Sequence, residues 1–184
     1  MEAHTASGEQ DSMSYDSLTI RPLAETDATA FKALRLEAIA DSPTAIWPTF
    51  AEEQAKTLDV VSMQIRQTDR QVVFGAFEHD ALLAIAGLRR EALTQTSHKA
   101  ILWGVFVRPA YRKSGVARKL LNRAFAHARK QGTGQILLTV NTENHRARQL
   151  YQSMGFAAYG IEPRALCVDG SFYDEEHMVM YLDR

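Results

Sequence analysis

Arg112-Lys113-Ser114-Gly115-Val116-Ala117 is the stretch that decides how this chain is read. It lies between an apolar run ending at Val107 and a helical pattern that starts at Val116. A loop with no bulky side chain at Gly115 or Ala117, opening directly into a helix, suits a backbone that cradles a diphosphate. The first amides of a helix have no intrahelical partner, and the helix dipole adds positive potential there. Gly115 lets the main chain approach phosphate without a Cβ in the way. No Gly-Lys-(Ser/Thr) closes the loop, so a Walker A reading has no support.

The patterns on either side set the loop in an α/β frame. Downstream, Val116, Leu120, Ala124 and Ala128 form one stripe, widened by Leu121 and Phe125, as in an amphipathic helix packed on a sheet. Gly132-x-Gly134 follows as its C-cap, ahead of a short apolar strand over Ile136 to Val140. Asn141-Thr142 is expected to cap a further helix with Ala147, Leu150, Tyr151 and Met154 on one face, closed by Gly155. Asp169-Gly170 predicts a tight hairpin between Ala165-Val168 and the run ending at Leu182.

Upstream, Ile101, Trp103, Val105 and Val107 are expected on one face of a strand stopped by Pro109, with Leu102 and Phe106 on the other. Val72 to Phe77 and Leu82 to Leu88 read as strands joined by a hairpin at Glu78-His79-Asp80. Leu18-Thr19-Ile20-Arg21-Pro22 reads as a first strand ending at the proline. Thr26-Asp27 offers a cap for a helix carrying Phe31, Leu34 and Ala38. The Thr49-x-x-Glu52 capping box predicts a second helix running to about Ile65. Residues 1–16 are small, polar and aperiodic and read as a disordered tail or leader, leaving 17–184 as one domain.

Composition narrows the function. Of 184 residues, 46% are hydrophobic and 23% charged, the ordinary globular balance, and the formal net charge of −1 gives no electrostatic case for nucleic acid or an anionic membrane surface. No apolar run is long enough to span a bilayer. Cys167 is the only cysteine, which fits a reducing compartment and a cytoplasmic location; within an apolar strand it reads as a small buried hydrophobe. The six histidines show no paired ligand spacing, so no metal is expected.

Taken together, these motifs make the chain similar to the GNAT superfamily of N-acetyltransferases. Arg112-x-x-Gly115-x-Ala117 fits that family's (Gln/Arg)-x-x-Gly-x-(Gly/Ala) loop, placed after Val105-Phe106-Val107-x-Pro109. Asn144-x-x-Ala147-x-x-Leu150-Tyr151 fits its second helix signature, and Gly155-Phe156 the pair that closes it. The resemblance runs from Leu18 to Leu182. It implies an α/β (α+β) fold with a mixed, mostly antiparallel sheet flanked by helices, and with strands that splay at the site of acetyl-coenzyme A. The pantetheine arm would then pair with backbone groups around Val105, Phe106 and Val107 and around Ile136 to Val140. The pyrophosphate would sit on Lys113, Ser114, Gly115, Val116 and Ala117, with charge from Arg112 and Lys113.

Asn144 and Tyr151 lie seven positions apart, about two helical turns, and so share a face. The resemblance implies that Asn144 contacts pantetheine and that Tyr151 is the general acid for the departing thiolate. A phenol with a reference pKa of about 10 is protonated at neutral pH and can do this. The expected reaction is acetyl transfer to a primary amine in a ternary complex, with a small-molecule amine favoured. A protein N-terminal amine as acceptor and a non-catalytic acetyl-coenzyme A sensor remain the alternatives.

Several members of that family place a general-base carboxylate on the fourth strand or on the strand after the phosphate helix; here those strands present Ile101, Trp103, Val105 and Thr139 and offer no acid. Glu91 and His98, which flank the connection into the strand at Ile101, are the nearest ionisable candidates, beside proton removal through water. The acceptor site is expected between Ser42 to Glu53, with Trp47 and Phe50 exposed, and Glu162 to Glu176. Glu162, Asp169, Asp174, Glu175 and Glu176 in the second region read first as a solvated hairpin edge. Members of the family often pair through their C-terminal strands, which leaves a homodimer open.

Overall fold

The computed structural model describes residues 18–182, so the leader expected over 1–16 lies outside the described residues. Seven strands form one sheet: β1 (Leu18–Pro22), β2 (Gln71–Glu78), β3 (Ala81–Arg90), β4 (Lys99–Val107), β5 (Gln135–Asn141), β6 (Ala157–Val168) and β7 (Ser171–Tyr181). Their order is β1-β2-β3-β4-β5-β7-β6. Every pairing is antiparallel except β4–β5. On one face lie α1 (Ala28–Asp41), α2 (Phe50–Ala55) and α3 (Leu58–Ile65); on the other lie α4 (Val116–Lys130) and α5 (His145–Ser153).

Two apolar layers hold this arrangement. The stripe Val116, Leu120, Leu121, Ala124, Phe125 and Ala128 of α4 is buried against Phe74, Ala84, Ala86, Leu102, Ile136 and Met178 of the sheet. Across the sheet, Phe31, Leu34 and Ala38 of α1 and Val61 and Ile65 of α3 bury against Val73, Phe77, Ile85 and Phe106. Local signals end the elements as expected. After α4, Thr133 N–H bonds Ala128 C=O and Gly132 N–H bonds Arg129 C=O, with Gly132 at φ 70°, the bonding pattern of a Schellman cap. Asp169 and Gly170 both take positive φ at the β6–β7 turn.

Five expectations are corrected. The second helix is two helices: Thr49 does form its capping box with Glu52, but Lys56 is extended and the Thr57 hydroxyl accepts from Val60 N–H to start α3. Threonine competes for such caps and loses little by leaving a helix interior. Asp27 makes no cap bond to α1, because its carboxylate turns back to Arg21 (2.7 and 2.9 Å) and the Ala24 amide (2.7 Å). The α5 cap is Asn144, whose Oδ1 accepts from Ala147 N–H at 3.1 Å, not Asn141-Thr142. Cys167 is exposed, because β6 is an edge strand with most of its residues open to solvent.

The fifth correction shapes the site. Gly104 has φ 62° and the β3–β4 register shifts between Ile85 and Gly87. This glycine bulge inserts one residue and reverses the alternation of β4. Leu102, Val105 and Val107 therefore pack toward α4 and α5, while Trp103 and Phe106 pack toward α1. Trp103 lies over Gly87, where a Cβ would sit 2.2 Å from the indole, so only glycine admits the ring there.

Candidate active site

β4 and β5 pair only over Lys99–Ile101 and Gln135–Leu137. Beyond those residues the two strands part, leaving main-chain groups of Leu102 to Val107 and Leu138 to Asn141 unpaired with each other. Two cavities open at this fork. The first, about 360 Å³, runs from Val105 and Val107 along Lys113, Gly115, Val116 and Ala117 to Asn144 and Tyr151. The second, about 420 Å³, lies toward α1 and is lined among others by Arg35, Trp47, Trp103, Thr139 and Glu175. Val105, Asn144, Ala147 and Tyr151 border both.

The loop before α4 is built to leave amides free. A 3-10 turn at Pro109–Tyr111 leads into it, Ser114 Oγ donates to Tyr111 C=O at 2.6 Å, and Lys113 and Gly115 take φ of 66° and 84°. The first bond inside α4 runs from Lys119 N–H to Gly115 C=O, so the Val116, Ala117 and Arg118 amides precede the ladder. No acidic residue occupies the first turn, which leaves the positive helix end uncompensated. Ser114 thus holds the turn and does not line the cavity.

Arg112 plays a different part from the one its charge suggests. Its Nε donates to Val107 C=O at 3.0 Å and its Nη2 to Asp41, whose carboxyl this contact holds below the ordinary range. Lys113, Arg118 and Arg146 are the other cations on that cavity's wall. Asn144 spends its amide oxygen on the α5 cap, so its Nδ2 is the atom left for a ligand.

Tyr151 is 8% exposed, and its ring meets Phe156 edge-on at 5.7 Å. Burial pushes its phenol well above the ordinary value. It therefore stays protonated at every physiological pH, as a proton donor requires.

The structure does not bring Glu91 or His98 to this place. Glu91 follows the end of β3, its amide bonding Lys99 C=O, and His98 is exposed with its carbonyl bound to the Gly134 and Gln135 amides. Neither lines either cavity. The carboxylate that does is Glu175, 4% exposed, which accepts from Trp47 Nε1 at 3.1 and 3.3 Å. Its neighbour Glu176 points to the opposite face and binds Arg148 at 2.8 and 3.0 Å. Glu162 and Asp174 behave as hairpin charges, held by His177 and by the Arg164 amide. Trp47 and Glu175 are 128 positions apart. Alternation on β7 sets Glu176 on the face of the buried Met178 and Glu175 on the opposite one with Val179, and that was the sequence signal that could have separated the two glutamates.

Comparison with known proteins agrees with the geometry. The profile of the Acetyltransferase (GNAT) family matches residues 36–156. An uncharacterized protein of Mycobacterium leprae is 37% identical over 97 residues, 53% of this chain; the chain spans only 26% of that relative's length. Aminoglycoside N(6')-acetyltransferase type 1 of Acinetobacter baumannii is 26% identical over 143 residues, 76% of this chain and 90% of that enzyme. The structure of Salmonella typhimurium YncA with its cofactor acetyl-CoA superposes with a TM-score of 0.79 at 23% identity, covering 91% of this chain and 95% of that one, a likeness of fold. With the family's profile spanning the fork, the glycine loop and the Asn144–Tyr151 helix, this chain belongs to the GNAT family of acetyltransferases.

Proposed function

We propose that the protein transfers the acetyl group of acetyl-coenzyme A directly to a primary amine of a small molecule. The observation that carries this is the junction of two cavities at Tyr151 and Val105: one fits a pantetheine arm and diphosphate, the other a separate acceptor. The free amides at the start of α4 take the diphosphate, and unpaired backbone groups of β4 and β5 take the amides of the pantetheine arm. The Val105 amide, turned by the Gly104 bulge, polarises the thioester carbonyl.

The acceptor nitrogen forms its bond to the carbonyl carbon as the carbon–sulfur bond breaks. Tyr151 gives its proton to the departing sulfur and regains one, through water, from the nitrogen as the new amide sheds its second proton. Glu175, facing the second cavity, receives the ammonium proton directly or through water. Holding both reactants at one junction removes much of the entropic cost of meeting.

Thiol release from acetyl-coenzyme A over an amine library tests the reading, with calorimetry to follow cofactor uptake. Turnover with at least one small amine is expected. Failure of the folded protein to take up coenzyme A or acetyl-coenzyme A would overturn it. Tight uptake without turnover on any amine would favour a sensor.

Gly115→Ala gives a local check. A Cβ there meets nothing within 4 Å, so the space it would enter is the cavity itself, while φ 84° penalises any side chain. We expect a fall in stability of about 1 kcal/mol and a rise in KM for acetyl-coenzyme A of roughly tenfold. An unchanged KM would remove the loop from cofactor binding.

A further inference from the structure

The second cavity carries a charge pattern that acetyl transfer alone does not require. Arg35 of α1 projects under the sheet with its side chain 4% exposed. Its Nε and Nη2 reach Glu53 at 3.3 and 3.4 Å, while Nη1 makes no hydrogen bond among the described residues. Glu53 is fully buried and also binds Lys56 at 2.8 Å. Two cations thus face one carboxylate, Arg89 adds a third positive charge to the cavity's wall, and Glu175 is the other carboxylate there, which leaves one positive charge in surplus. Trp103 supplies another unused donor, since its Nε1 is buried without a partner. A buried donor without an acceptor, as Trp103 Nε1 is, is costly, and Trp103 and Arg35 both border a space large enough for a ligand.

Position turns this into a statement about the acceptor. A Cβ built on Gly104 would lie 3.3 Å from Arg35 Nη1, so the free guanidinium edge rests against the bulge. Gly104 precedes Val105, whose amide faces the thioester carbonyl in the mechanism above. Consecutive Cα atoms are about 3.8 Å apart. A short acceptor can therefore reach Nη1 with an anion while its nitrogen attacks that carbonyl, which favours an amine and an anion only a few bonds apart.

We propose that the acceptor is an α-amino acid, its carboxylate held by Arg35 Nη1 with help from Trp103 Nε1 and its amine aimed at the thioester. This rests on the acetyl-transfer reading. A planar guanidinium edge suits a carboxylate, and the surplus positive charge favours an anion. A polycationic acceptor would set its ammonium groups against Arg35, Lys56 and Arg89, which argues against an aminoglycoside here despite the relative's name.

The test compares kcat/KM for L-leucine, L-phenylalanine and L-glutamate with that for each one's carboxamide and decarboxylated amine, with kanamycin as the polycation. At least one amino acid should exceed its carboxamide and its decarboxylated amine by roughly tenfold or more, because losing the anion leaves the site's donors unpaired. Arg35→Lys keeps a cation for Glu53 but removes the fork, and should collapse that ratio toward one. Trp103→Phe keeps an aromatic ring at the position, removes the donor, and should shrink the ratio severalfold; it serves if Arg35→Lys does not fold. Carboxamides, plain amines or kanamycin reacting as well as the amino acids would overturn this proposal while acetyl transfer stands. Absence of thiol release with every amine tried would overturn both.

Discussion

Tyr151→Phe should lower kcat by about 100-fold, the usual scale for losing a positioned general acid, while leaving acetyl-coenzyme A affinity nearly unchanged. The ring would stay in place, since Phe156 holds it edge-on and the hydroxyl is all that is removed. An independent signature lies at alkaline pH. Burial raises this phenol above its ordinary 10.0, so in the unfolded chain it ionises first. Its contribution to stability is whole below that pH and is lost as pH climbs toward the native value, by up to about 1.4 kcal/mol per pH unit. The phenylalanine variant lacks this loss, so its denaturation midpoint should decline less steeply than wild type above pH 10. Wild-type turnover in the variant would remove Tyr151 from the chemistry, and parallel alkaline curves would contradict its burial.

Glu53→Ala should be the more damaging change to the fold. It strands Arg35, 3% exposed, without its counter-ion, and breaking a buried pair in this way costs about 3–5 kcal/mol. Urea unfolding of the two proteins measures this, and a loss below 1 kcal/mol would mean that water reaches the guanidinium. The same pair sets an acid limit. Burial pushes the Glu53 carboxyl up, but the hydrogen bonds and charges of Arg35 and Lys56 outweigh it and hold it below the ordinary 4.5. The stabilisation is therefore present above pH 4.5 and is lost as pH falls through the lowered native value. Glu53→Gln should flatten that acid arm.

How far the sequence could be read depended on the range of the interaction. The α4 stripe, the Gly132 cap and the Asp169-Gly170 turn are short-range signals, and each appears where it was expected. The Gly104 bulge is also local, yet the regular spacing of apolar residues from Ile101 to Val107 concealed it. A glycine inside a strand was the available clue. Thr57 was legible as a cap too, but the preceding capping box invited one continuous helix.

The acceptor side was much less legible. Arg35 reads as one of several polar positions on α1, and only the fold sets it against Glu53 and Gly104. Glu175 reads as one charge in an acidic hairpin, and only the sheet order β5-β7-β6 turns it toward Trp47. Glu91 attracted attention through nearness along the chain, which a strand of nine residues undoes.

The parting of β4 from β5 also bears on solubility. Open strand margins normally invite other proteins to add on and polymerise. Here the bare stretch lies in the middle of a seven-stranded sheet, with β3 and β7 already bonded to the outer flanks of the two strands. A cleft of that kind admits one slender, amide-bearing chain and shuts out the broad edge of a foreign sheet. The protein can thereby keep reactive backbone on offer without becoming a seed for its own aggregation.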